Sequence, residues 1–222
     1  MGNMTEIGQV KKKMAEPIVA YQLGYNLYLN ITNRCTNNCL FCIRNTAEGV
    51  GYDLWLAHEP SLDEVINAVK DPTRYREVVF CGYGEPLMRV DLVKEAASEI
   101  KKRGGLIRIN TNGQANLIHG RNVIPELKGR VDTISISLNA QSAEQYIRIC
   151  RPSKGAAAYR AVLDFARLAV EEKMPRVILS VVQWPGVDVE KCRQIASGLG
   201  AEFRLRQFSG TIKSRTDTIP AG

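Results

Sequence analysis

The sequence predicts an α/β fold: a partial (β/α)6 TIM-like barrel, with an open, curved, parallel sheet. Three observations lead there. Short apolar runs alternate with stretches of helical periodicity along most of the chain. The runs are apolar nearly throughout, as in strands buried on both faces of a parallel sheet. There are six such units, short of the eight that close a full barrel. A flat doubly wound sheet shows the same alternation and is the competing arrangement.

The elements follow in order. "YNLYLNI" (25–31) is rich in aromatic and β-branched residues and reads as the first strand. The helix at 60–71 carries Leu62, Val65, Ile66 and Val69 on one face, and Ser61 with Glu64 forms a capping-box pattern. A buried strand follows at 77–81, then a helix at 89–104 that stops at Gly104 and Gly105. Strands are expected at 106–110, 131–139, 176–182 and 201–208. Helices are expected at 123–130, 142–150, 155–173 and 188–200. The core domain therefore covers 21–208. Residues 1–20 and 209–222 read as polar tails without periodicity.

The chain has 222 residues, enough for one well-buried domain. Its net charge is +7, but the basic residues are spread along it, so anionic partners are permitted and not required. No apolar run approaches the roughly 20 residues of a membrane span. Lys11, Lys12 and Lys13 are not followed by an apolar stretch, so no signal peptide, no membrane partner and a cytoplasmic location are expected.

Six cysteines in such a chain point to metal or catalysis more than to disulfides. Cys35, Cys39 and Cys42 form C-x3-C-x2-C in the loop after the first strand, at the rim where parallel sheets place active sites. Thiolates suit iron–sulfur clusters and zinc. Structural zinc takes four ligands, and three thiolates leave a metal with an open position. His58 and Cys81 are the nearest further donors, and neither is close in sequence. Cys81, Cys150 and Cys192 read as packing residues.

The cysteine triplet, with Phe41 just before its third member, resembles the radical S-adenosylmethionine (SAM) superfamily, and further segments extend the likeness. "GYGEP" (82–86) is similar to the family's Gly-Gly-Glu-Pro motif, with Tyr83 in place of its first glycine. "TNG" (111–113) and "SLN" (137–139) are similar to segments that end later strands in that family. The resemblance implies that Cys35, Cys39 and Cys42 hold a [4Fe-4S] cluster whose fourth iron chelates the amino and carboxylate groups of SAM. It implies reductive cleavage to a 5′-deoxyadenosyl radical, which abstracts a hydrogen atom from substrate.

The same resemblance sets expectations for the remaining site residues. Phe41 lies against adenine. Gly84 and Glu85 orient the SAM ammonium, the glycine by letting backbone come close and the carboxylate as a charged acceptor, while Tyr83 puts a bulky ring near the cofactor that shapes the substrate side. Ser137 and Asn139 bind ribose or carboxylate; alternation puts them with Ser135 on one strand face. Thr111 or Asn112 joins them. Val182 and Gln183 contact adenine. Arg204 and Arg206 share a face, and either can meet the SAM carboxylate or an anionic substrate.

The string as a whole looks most like the small radical SAM proteins associated with TatD-type nucleases. A chain with little beyond the core has a wide mouth, which suits a protein, peptide or nucleic-acid substrate. A reductase such as flavodoxin or ferredoxin is the implied electron donor. Glycyl-radical activation and a carboxy-deazaguanine-synthase-like reaction are two sub-readings by analogy. The alternative is a non-catalytic module in which the cysteines hold zinc or an electron-transfer cluster and a basic surface binds nucleic acid.

Overall fold

The computed structural model describes residues 18–47, 49–208 and 210–212. Seven strands lie side by side in chain order: β1 (Ala20–Leu23), β2 (Asn26–Leu29), β3 (Val78–Phe80), β4 (Ile107–Thr111), β5 (Thr133–Ser137), β6 (Val177–Val182) and β7 (Glu202–Arg206). β2 to β7 are parallel, and β1 pairs antiparallel with β2. This is the open partial barrel expected, with one strand more. β1 is that strand. Its four residues carry little pattern of their own; pairing with β2 across a turn at Gly24 (φ 57°) makes them a strand. The sheet therefore begins at Ala20, where a tail was expected. Most of both tails lies outside the described residues.

Helices fill the crossovers: α1 (Leu62–Val69), α2 (Val90–Lys102), α3 (Ala115–His119), α4 (Ile124–Leu127), α5 (Ala143–Cys150), α6 (Ala156–Glu171) and α7 (Val189–Gly198). The Ser61–Glu64 capping box forms, with Ser61 N donating to Glu64 Oε2 at 2.7 Å. The side chains of Ser142 and Asp188 cap α5 and α7 by accepting from Gln145 N and Lys191 N. α3 is a single short turn of helix in a stretch where only a turn was expected.

The two faces of the sheet differ. On the outer face Ile107, Ile109, Ile134, Ile136 and Leu179 pack against Val93, Ala97, Val162 and Phe165 of the helices in one continuous core. That burial, at about 25 cal/mol per Å², is the main favourable term holding the layers together. The inner face is polar. Register sets Tyr28, Val79, Arg108 and Thr133 in one row, and Ser137, Ser180 and Arg204 in another. Because side chains alternate, Ser135, Ser137, Arg204 and Arg206 all point to this inner face. Among the described residues no helix is long and apolar enough to cross a membrane.

Candidate active site

The cysteine loop leaves β2 at its carboxyl end and is braced on three sides. The end of α5 supplies carbonyls to it: Asn38 N donates to Cys150 O at 3.0 Å and Leu40 N to Ile149 O at 2.8 Å. Behind the loop, Asn37 and Gln114 both donate to the hydroxyl of Tyr146, at 2.9 and 3.1 Å, and Gln114 also donates to Asn37 Oδ1 at 2.8 Å. All three residues are buried. On the third side the turn after β3 presses on the loop, with Glu85 N donating to Arg34 O at 2.7 Å.

Gly84 allows that approach. A Cβ there would lie 2.3 Å from Thr32 O and 2.6 Å from Arg34 O, both backbone atoms. Gly82 does the same against Asn30, whose Oδ1 would be 2.1 Å away. Both close approaches are to protein backbone and side chain at the start of the cysteine loop. Glu85 is held by protein donors. Its carboxylate, 3% exposed, accepts from Leu87 N (3.0 Å), Thr111 Oγ1 (2.7 Å) and Asn112 N (2.6 Å). It ties the turn after β3 to the end of β4. Burial pushes its pKa up to about 7, against the pull of those three hydrogen bonds.

Together these loops enclose a cavity of about 380 Å³ over the carboxyl end of the sheet. Cys35, Cys39 and Cys42 line it, and so do Phe41, Tyr83, Gly84, Glu85, Thr111, Ser137, Asn139, Val182 and Arg206. Gln183 does not; it is exposed beyond β6. The thiols are half-buried. Burial pushes the Cys35 thiol up to about 12, with Glu85 adding to the effect. Cys39 is raised by its hydrogen bond to Cys150 and then by burial. Both are protonated in the metal-free chain and must lose protons to bind metal.

Several placements refine the sequence reading. β5 ends at Ser137, so alternation does not carry to Asn139, which reaches the cavity from a left-handed backbone at φ 57°. Asn139 is 3% exposed, and its Oδ1 has no hydrogen-bond partner. The Oδ1 of Asn110, also lining the cavity, has none either. Thr111 is at the rim, but its hydroxyl serves Glu85 and Gly113 N. Phe41 packs on Trp184 at 5.6 Å between ring centres, and Trp184 on Phe208 at 5.1 Å. Tyr83 stacks edge-on with Trp55 at 5.1 Å and separates the cavity from a neighbouring one of about 430 Å³. Cys81 lines the main cavity, whereas Cys150 and Cys192 are buried. His58 pairs with Glu64 on the exposed surface.

Arg44 was not anticipated. Its guanidinium donates to Asn37 O at 3.2 Å and sits among the three thiols. Burial acts to lower its pKa, and Cys42, Cys35 and Cys39 more than offset that. Its position two residues past Cys42 was the available signal.

Among the described residues no three Cys, His, Asp or Glu side chains converge tightly enough for a single metal ion. Cys35, Cys39 and Cys42 all line one cavity, which also holds the unpartnered amide oxygens of Asn110 and Asn139. The donor set fits a cubane with an adjoining organic cofactor.

An open parallel half-barrel with a three-thiol loop at its carboxyl rim defines a class of iron–sulfur enzyme scaffold. The family model of the radical SAM superfamily matches residues 29–197, and this chain belongs to that superfamily. Its cofactors are a [4Fe-4S] cluster and SAM. A tungsten-containing aldehyde ferredoxin oxidoreductase cofactor-modifying protein of Pyrococcus furiosus is 32% identical over 94 residues, 39% of this chain and 23% of that protein. So the matched stretch spans under a quarter of that relative. Among solved structures, TYW1 with a lysine–pyruvate adduct superposes with a TM-score of 0.62 at 16% identity, over 87% of this chain and 68% of that one. Streptococcus suis SuiB bound to the precursor peptide SuiA gives 0.67 at 15% identity, over 86% and 42%. These likenesses concern the fold.

Proposed function

We propose that Cys35, Cys39 and Cys42 hold the cluster of a radical SAM enzyme that acts on a substrate entering this cavity from a wide rim. The observation that carries the reading is the gathering of all three thiols and the cofactor-facing residues around one cavity. When bound, the reduced cluster supplies an electron to SAM, whose cleavage yields the radical that takes hydrogen from substrate.

The chain's own residues bind and orient. Backbone around Gly84 meets the SAM ammonium, because the Glu85 carboxylate is already engaged by three protein donors. Asn139 Oδ1 accepts from a ribose hydroxyl, with Ser137 beside it. Phe41, Phe208 and Val182 form the apolar wall for adenine. The adjoining cavity, with Tyr52 and Trp55 exposed at its edge, offers room for a peptide or other large substrate. SuiB, of like fold, was solved with a precursor peptide, which supports that choice. The electron donor is a flavodoxin- or ferredoxin-type reductase.

Anaerobic reconstitution tests the reading. About four irons per chain are expected, with 5′-deoxyadenosine released on reduction with SAM. Alanine at Cys35, Cys39 or Cys42 is expected to remove the cluster absorbance and that product. One zinc per chain without iron would support the non-catalytic module instead. Arg44→Gln is expected to shift the cluster's midpoint potential downward in a redox titration, because a cation beside the thiolates favours the electron-rich state.

A further inference from the structure

We propose that the β7 side of the cavity binds an oxyanion of the substrate, a carboxylate or phosphate, at Arg206, with Arg204 and Arg108 on the same sheet face below it. This deepens the enzyme reading above and rests on it. Register places the three side chains on the inner face: Arg206 beside Val182, Arg204 beside Ser180, and Arg108 three strands away on β4.

Their counter-charges are unequally shared. Arg108, 7% exposed, has Glu77 Oε2 at 3.1 Å from its Nε and donates to Tyr28 Oη at 3.4 Å. Glu202 is taken by Arg176 through contacts of 2.8 and 2.6 Å. Glu85, the acidic residue of the cavity lining, is saturated by donors. Neither Arg204 nor Arg206 makes a side-chain hydrogen bond or salt bridge among the described residues. Arg204 is half-buried and Arg206, the last residue of β7, is exposed at its surface; the atoms packed around each and the neighbouring arginines act to lower both guanidiniums.

Clustered cations repel one another, and an anion placed among them relieves that repulsion. The guanidinium fork of Arg206 suits a carboxylate or phosphate. A second observation points to a ligand at the same place. Asn110, on the inner face and lining the same cavity, hydrogen-bonds the Cys81 thiol and keeps its Oδ1 without a partner. A buried acceptor without a donor is costly. The ligand is therefore an oxyanion that carries N–H or O–H groups nearby.

SAM has a carboxylate too, and the test separates the two sources. Reconstituted protein is titrated calorimetrically with inorganic phosphate and with succinate, at saturating SAM and without it. Wild type is expected to bind at least one probe with SAM present. Arg206→Gln is expected to bind it about tenfold or more weakly, as loss of a charged hydrogen bond implies, with SAM affinity unchanged. Arg206→Lys keeps the charge without the fork and should fall between. Arg204→Gln, should Arg206→Gln not hold its cluster, is expected to weaken the probe severalfold. Equal probe binding by wild type and Arg206→Gln would overturn the proposal, as would no binding by wild type. Weakened SAM binding with unchanged probe binding would assign Arg206 to the SAM carboxylate. If wild type takes up no cluster but still binds phosphate through Arg206, the enzyme reading fails and the anion site stands.

Discussion

Gly84→Ala is expected to strip the protein of most of its iron while leaving its helices in place. The added methyl would sit 2.3 Å from one backbone oxygen and 2.6 Å from another. Neither belongs to a side chain that can turn aside, so the cysteine loop itself must move. Overpacking of this kind costs about 1–3 kcal/mol or more. The displaced segment, Thr32 to Arg34, leads directly into Cys35, so the strain arrives at the first thiol. Iron per chain after anaerobic reconstitution reads the effect, and far-UV circular dichroism reads the fold. Gly198→Ala is the control. It lies in α7 with nothing within 4 Å of the new methyl, and alanine is the better helix former. It should keep full iron and match or exceed wild-type stability.

Glu85→Gln is expected to destabilise the protein by about 1–3 kcal/mol at low pH, with a margin that shrinks as pH rises. Below about pH 7 folded Glu85 is the neutral acid and presents a single O–H, which Thr111 Oγ1 can accept, whereas glutamine presents two N–H groups to a site lined by backbone donors. If its oxygen keeps Leu87 N and Thr111, its NH2 meets Asn112 N, and two donors cannot satisfy each other. The pH dependence follows from the raised pKa. Folded Glu85 titrates at about 7, against 4.5 for the ordinary side chain. Between those values the folded state holds a proton that the unfolded state has released, so this contribution to stability is full below about 4.5 and is lost as pH climbs through about 7. Its slope is at most about 1.4 kcal/mol per pH unit. Glutamine has no such slope. Urea unfolding of both proteins at several pH values isolates Glu85 in the difference; a difference independent of pH would refute the argument.

The sequence made the parallel scaffold legible because apolar strands and amphipathic helices repeat with different periods. β3 and β6 fall within their expected ranges for that reason. β1 was not legible, since four residues acquire strand character only by pairing with β2. The site's membership was legible wherever a motif sat at a strand end. What each motif residue touches was not. Glu85 and Gly84 face protein partners that lie 26 to 52 positions away in the chain, and only the folded loops bring them together. The bracing set of Asn37, Gln114 and Tyr146 is scattered for the same reason: a polar cluster has no period.

The sheet divides into an oily outside and an inside that carries serines and arginines. Folding draws on the outer layer, where the helices dock, while the lumen side chains Ser135, Ser137, Ser180 and Arg204 stand apart from the apolar core. Selection or a protein engineer can therefore rewrite the lumen for a new chemical guest with little penalty to the scaffold's endurance.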